Sequence, residues 1–274
     1  MTRLPTCFIS HGGGPWPWMK DEWNGAYDQL AAALRRVPQD VGARPRAVLM
    51  ISAHWEEPEF TVQSHPAPGM IYDYGGFPDY TYRVRCAAPG SPPLAERVRQ
   101  LLQGEGIAAA SDPERGFDHG MYAPMVVIYP DADMPTVQLS LKRGLDPQAH
   151  LAMGRALAPL RDEGVLIVGS GLSYHNLRAF GPAAKEPSAA FDGWLHATLA
   201  GTGDARSAAL AQWERAPAAP LAHPREEHLL PLMVAVGAAE HDAALRVYHE
   251  DNFFGGIAVS NWRFGAPAES VPKA

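Results

Sequence analysis

Histidine dominates the metal-competent side chains of this 274-residue sequence, with eleven copies against two cysteines. His11 follows the apolar run Thr6–Ser10 (TCFIS), and His54 closes on Arg46–Ser52 (RAVLMIS). His175 follows Val165–Val168 and Gly169-Ser170-Gly171. His119 stands in Phe117-Asp118-His119-Gly120, and His223 and His228 flank the acids of HPREEHLLPL. Neutral imidazole ligates iron, zinc and copper, with carboxylate and water filling the remaining positions. A further histidine beside such a centre can take or give a proton. Any one of these residues alone is more simply a structural or surface histidine. Their recurrence beside glycine, after strand-like runs, is what favours a site. His65, His150, His196, His241 and His249 have no companion motif and are assigned to surface or core.

Other chemistries fit less well. Cys7 and Cys86 cannot build a disulfide framework or a cysteine zinc cluster, and Cys7 reads as a small core residue. Gly12-Gly13-Gly14 can form an anion nest. The same HGGG resembles the oxyanion loop of some lipases and esterases, which requires a Gly-x-Ser-x-Gly elbow that this sequence lacks. Gly169–Ser173 is an incomplete dinucleotide fingerprint.

The elements that must position these residues alternate along the chain. Strand-like runs at Thr6–Ser10, Arg46–Ser52, Thr136–Ser140 and Val165–Val168 are continuous apolar stretches of the doubly buried type. Leu245–Glu250 and Gly256–Phe264 read as closing strands, and residues 61–90 as strands and loops. Trp23, Tyr27, Leu30 and Leu34 predict a helix within residues 20–36. Further helices are expected over Pro92–Gln103, Pro147–Arg161 (ending near Pro159), residues 187–214 in two pieces, and Pro224–Ala235. This alternation predicts one α/β domain over residues 1–265, with a mostly parallel or mixed sheet flanked by helices. Residues 266–274 are expected to fray. In open α/β sheets ligands gather at the carboxyl ends of strands, which is where the histidines fall.

Composition sets the remaining bounds. Hydrophobic residues make up 46% of the chain, enough for a sizeable core. Glycine and proline number 26 each, which implies many turns. No apolar run approaches the ~20 residues that span a bilayer, and no signal-peptide pattern opens the chain. A net charge of -7 argues against general nucleic-acid binding. The expectation is a soluble, cytoplasmic protein with a small-molecule partner and no nucleic-acid or membrane partner.

Six segments occur in order: Ser10-His11-Gly-Gly-Gly-Pro15, Ser52-Ala-His54-Trp55, Tyr72-Asp-Tyr-Gly-Gly-Phe-Pro78, Phe117-Asp-His119-Gly120, Gly169 through His175-Asn-Leu177, and His228-Leu-Leu-Pro-Leu232. They run from Ser10 to Leu232, and the resemblance they carry covers roughly residues 6–262. The set resembles the class III extradiol ring-cleavage dioxygenases, in particular the DOPA 4,5-dioxygenase-like branch. The resemblance implies a single α/β domain and a mononuclear nonheme iron(II) centre. It also implies an enzyme that opens a catechol ring beside its hydroxyls, incorporating both atoms of dioxygen. By the resemblance, His11, His54 and His228 match metal ligands. His175 matches an acid/base histidine that in some relatives approaches the metal itself. His119 matches a second active-site histidine that hydrogen-bonds substrate or dioxygen.

The residues themselves leave the third ligand open among Glu226, Glu227 and His228, and the choice of His228 rests on the resemblance. On a helix begun at Pro224, His223 and His228 would lie about 140° apart and would not share a metal. Relatives often read His-Gly-Ser-Pro in the first segment and histidine at position 72, so DOPA is not assumed as the substrate. Trp16, Tyr72 and Tyr122 are expected near the substrate. Zinc is the alternative metal. A zinc hydrolase or amidase, or a non-catalytic protein that binds metal or catechol, are the rival functions. A homo-oligomer is compatible with the resemblance.

Overall fold

A computed structural model describes residues 3–268. Eight strands are present among them: β1 (Thr6–Ser10), β2 (Ala47–Glu57), β3 (Phe60–Gln63), β4 (Ala109–Asp112), β5 (Thr136–Lys142), β6 (Val165–Gly171), β7 (Ala244–Phe253) and β8 (Ile257–Phe264). They form one mixed sheet in the order β4-β3-β5-β2-β6-β1-β8-β7. The central strands β5, β2, β6 and β1 are mutually parallel, whereas β8 runs antiparallel to β1 and to β7. The α-helices are α1 (Asp28–Val41), α2 (Pro92–Gly104), α3 (His119–Ile128), α4 (Pro147–Leu157), α5 (Lys185–Ala200), α6 (Gly203–Leu210), α7 (Ala219–Ala222) and α8 (Leu230–Gly237).

Parallel central strands are covered on both faces, so their sequences are continuously apolar rather than alternating. Phe8, Val48–Ile51 and Ile167 are fully or almost fully buried. Successive residues of a strand point to opposite faces, and β6 shows what lies on each. A Cβ on Gly169 or Gly171 would run into the carbonyls of Pro231 and His228, on the α8 side. Between them, Ser170 Oγ donates to the Gly120 carbonyl of α3, on the other side. Gly169 and Gly171 therefore let the segment before α8 lie directly on the sheet, and Leu172 N–H donates to the His228 carbonyl at 3.1 Å.

Parallel register brings the carboxyl ends of β1, β2 and β6 to one edge: Ser10 pairs with Gly171, and Ser52 with Ser170. β2 continues past that point, with a register irregularity against β5 between Ile51 and Glu56. Irregularities of this kind re-aim side chains beside sites, and His54 lies within it.

Several expectations are corrected. The first helix begins at Asp28, not near residue 20, because Asn24 (φ 48°) and Gly25 (φ 80°) are left-handed and interrupt a right-handed helix. The spacing of Trp23 and Tyr27 instead reflects edge-to-face packing, with ring centroids 5.3 Å apart. The helix expected from Pro224 starts at Leu230. Residues 224–229 form turns, so His228 is not helical and the helical-wheel argument against His223 does not apply. Helix α3 carries no amphipathic signal because it is buried nearly all round. Beyond Gly265 the chain stays docked through Ala268, whose N–H donates to the Val41 carbonyl at 2.8 Å. Residues 269–274 of the expected tail lie outside the described residues. No helix among the described residues is long and apolar enough to cross a membrane.

Candidate metal centre

His11 leaves the end of β1 with its backbone held on both sides. Its N–H donates to Gly171 O at 3.1 Å, and Trp16 Nε1–H donates to its carbonyl at 2.7 Å. Gly12 has φ 76°, and a Cβ there would strike the Trp16 indole, so only glycine lets the chain turn here. His54 N–H donates to Ser52 Oγ, which in turn donates to the buried Asp118 carboxylate at 2.7 Å. Asp118 also caps α3 and is neutralised by Arg115 at 3.0 Å. His228 is placed by its carbonyl contact with β6.

These three rings converge. His54 Nε2 lies 3.1 Å from His11 Nε2 and 3.3 Å from His228 Nε2. The opposite nitrogen of each ring faces an acceptor. His228 Nδ1 is 2.8 Å from Glu227 Oε1, and His54 Nδ1 is 3.5 Å from Asp73 Oδ2. His11 Nδ1 is 3.2 Å from Ser170 Oγ, whose own proton goes to Gly120 O. The partner of one ring nitrogen fixes the tautomer. Each Nδ1 therefore carries the proton, and each Nε2 presents a lone pair. The His54 lone pair, 3.1 and 3.3 Å from those of its two neighbours, repels them unless a cation lies among the three, so the residues fit a metal ion.

Electrostatics point the same way. Burial, reinforced by the neighbouring imidazoles, pushes His11 and His228 well below the ordinary histidine range. Burial and the nearby His119 bring His54 down to about 4. All three rings are thus neutral at neutral pH, the state in which imidazole can bind a metal. Glu227, another candidate third ligand, stands outside the convergence, with Oε1 bridging His228 Nδ1 (2.8 Å) and His175 Nδ1 (3.2 Å). Asp73 makes the parallel bridge, from His54 to His119 Nδ1 at 2.9 Å, and also accepts from the His119 backbone N–H at 3.0 Å. Burial raises both carboxyls, but bonding to their histidine partners outweighs it and holds both below the usual carboxylate range. His175 stacks on His228 at 3.4 Å between centroids, and His119 lies 4.0 Å from His54.

A cavity of about 350 Å³ opens over this cluster. His11, His54, His119, His175, His228 and Asp73 line its inner end, and Tyr27, Phe77, Leu172, Leu177, Phe180 and Phe253 line the rest with Gly12–Gly14. The three aromatic residues expected beside the substrate lie elsewhere. Tyr72 donates its hydroxyl to Val84 O, Trp16 is buried behind His11 against Tyr27, and Tyr122 is buried inside α3. They adjoin site residues in sequence without facing the cavity. Asp73 was the legible omission, since a carboxylate commonly orients a ligating histidine. Phe253, from an edge strand, gave no signal. His223 is structural: it is buried, its Nε2 bonds Ser173 O at 3.0 Å, and burial brings it down to about 4. A larger groove of about 590 Å³ lies beyond Trp16 and Tyr27, but no histidine lines it.

A fold of this topology with five histidines at the strand ends is matched, over residues 5–265, by the family model for the catalytic LigB subunit of aromatic ring-opening dioxygenase. The chain belongs to this LigB family, one of extradiol dioxygenases. Among its relatives is a protein from Beta vulgaris named 4,5-DOPA dioxygenase extradiol, 39% identical over 256 residues and covering 92% of each chain. A protein of the same name from Escherichia coli K12 is 34% identical over 270 residues, covering 96% of each. The dioxygenase tasH of Hapsidospora irregularis is 36% identical, covering 92% of this chain and 83% of that one. The crystal structure of an uncharacterized Escherichia coli K12 protein superposes with a TM-score of 0.78 at 29% identity, covering 96% of this chain and 100% of that one.

Proposed function

We propose that this protein is a nonheme iron(II)-dependent extradiol dioxygenase that opens the ring of a catechol with dioxygen. His11, His54 and His228 would hold the iron. The observation that carries the reading is the trio of inward-facing Nε2 lone pairs, each backed by an acceptor at Nδ1. Imidazole ligands alone do not separate iron from zinc, and family membership favours iron. When bound, the metal supplies a Lewis-acidic, redox-active centre that acidifies a catechol hydroxyl and brings ring and dioxygen together.

The chain's own groups do the remainder. His175, held through Nδ1 by Glu227, presents Nε2 to take the proton of a catechol hydroxyl and return it later. His119, held through Nδ1 by Asp73, offers Nε2 as an acceptor to a substrate hydroxyl and, once it has taken that proton, as a donor to dioxygen. The apolar walls seat the ring and exclude water from the reacting edge. Anaerobically iron-loaded protein should consume oxygen mole for mole with catechol and form a yellow ring-opened product. Iron-replete protein that takes up no oxygen across a broad catechol panel would overturn the reading. Hydrolysis by the zinc-loaded form, without oxygen uptake, would replace it.

A further inference from the structure

The inner and outer parts of the cavity differ in charge. Its only ionised wall residue outside the histidines is Asp73, an acid, and no lysine or arginine lines it. Two arginines near the site, Arg115 and Arg225, are committed elsewhere. Arg115 pairs with Asp118 at 3.0 Å and lies over the Trp55 ring, and Arg225 holds Glu56 at 2.6 Å and Glu227 at 3.4 Å. Arg178, next to Leu177 in the chain, is exposed and is not a wall residue. The outer wall is instead made by Phe77, Phe180, Phe253 and Leu177, the last 71% exposed. Leu177 thus carries the apolar wall of Phe77, Phe180 and Phe253 out to the mouth of the cavity as one continuous surface.

Building on the dioxygenase reading, we infer that the substrate is a catechol whose ring substituent is uncharged and apolar, and that catechols bearing a carboxylate are disfavoured. With the catechol hydroxyls directed at the histidine cluster, a carboxylate on the ring substituent would lose water without gaining a side-chain cation from the wall, and would meet Asp73. An apolar substituent would be sheathed by the lip residues and would bury both surfaces from water. A volume of about 350 Å³ lies at the small end of the roughly 300–1,000 Å³ range for ligand cavities. It therefore suits a single ring with a short substituent.

The test compares 3-(3,4-dihydroxyphenyl)propionic acid with its methyl ester, which differ little in shape but by one charge. On the iron-loaded holoenzyme, oxygen-uptake kinetics should give the ester a kcat/KM higher by about tenfold, the effect of leaving one polar group unpaired, and chiefly through KM. Leu177→Arg places a cation at the lip, on an exposed position that the fold does not depend on. It should shrink or reverse the ratio. An acid handled as well as its ester, or a ratio unmoved by Leu177→Arg, would overturn the inference. Anaerobic calorimetric titration of the same two ligands reads their Kd ratio whether or not turnover occurs. If no catechol consumes oxygen, the dioxygenase reading falls, while that ratio still decides the substituent preference.

Discussion

Two carboxylates each tie one convergent histidine to one histidine outside the trio, but with opposite emphasis. Glu227 sits close to the inner ring, 2.8 Å from His228, and farther from His175 at 3.2 Å. Asp73 does the reverse, at 3.5 Å from His54 and 2.9 Å from His119, where it also takes the first backbone N–H of α3. Glu227 comes from the turn that enters α8, next in sequence to the ring it holds. Asp73 comes from an irregular segment and faces the cavity. On the proposed function the difference would divide the labour, with Glu227 chiefly fixing a metal ligand and Asp73 chiefly fixing a group that meets substrate.

The largest effect should come from removing the ring that both others face. His54→Ala should lose nearly all bound iron by elemental analysis, and full retention would dissolve the frame of the comparison. Glu227→Ala should weaken metal affinity by about 10–100-fold, the usual effect of losing an orienting partner, as read by competition with a chelator. Asp73→Ala should spare metal affinity by comparison and lower kcat by about tenfold, less than the roughly 10²–10⁴-fold a general acid or base supplies, because His119 itself stays in place. Equal metal losses in the two variants would erase the distinction.

The smallest effect separates site histidines from structural ones. His54, His150 and His223 are each brought down by burial to about 4 from 6.5. Below pH 6.5 the unfolded chain takes up protons that the folded rings refuse until about pH 4, so stability falls as pH drops through that window. Each ring contributes about 1.4 kcal/mol per pH unit. Denaturant midpoints of the metal-free protein should follow this slope. Saturating metal should leave the slope between pH 6.5 and 4 unchanged, because the folded rings are already neutral there, and should carry it on below pH 4, whereas His223→Asn should shallow it with or without metal.

Much of this architecture was legible because doubly buried parallel strands leave uninterrupted apolar runs. β1, β2 and β6 stand out, and the histidines that follow them converge. Helix α3 was not, because a helix buried on all sides has no polar face to set a period. The start of α8 is ambiguous in the sequence because two prolines can each open a helix. Pro231 does so, and Pro224 lies in the preceding turns. Glu227 and His228 could not be ranked from types alone, since both ligate metals; orientation separates them. The substrate wall was least legible. Trp16, Tyr72 and Tyr122 neighbour the histidine segments in sequence, but Phe77, Phe180 and Phe253 reach the cavity through packing that joins distant parts of the chain.

The bare face of β6 bears on how the protein tolerates change. At 171 there is no donor atom and no charge, yet a single methyl group would displace the backbone that carries His228. Saturation mutagenesis should therefore deplete positions 169 and 171 nearly as thoroughly as 11, 54 and 228. Any Gly171 variants that fold should be metal-poor with all three imidazoles intact.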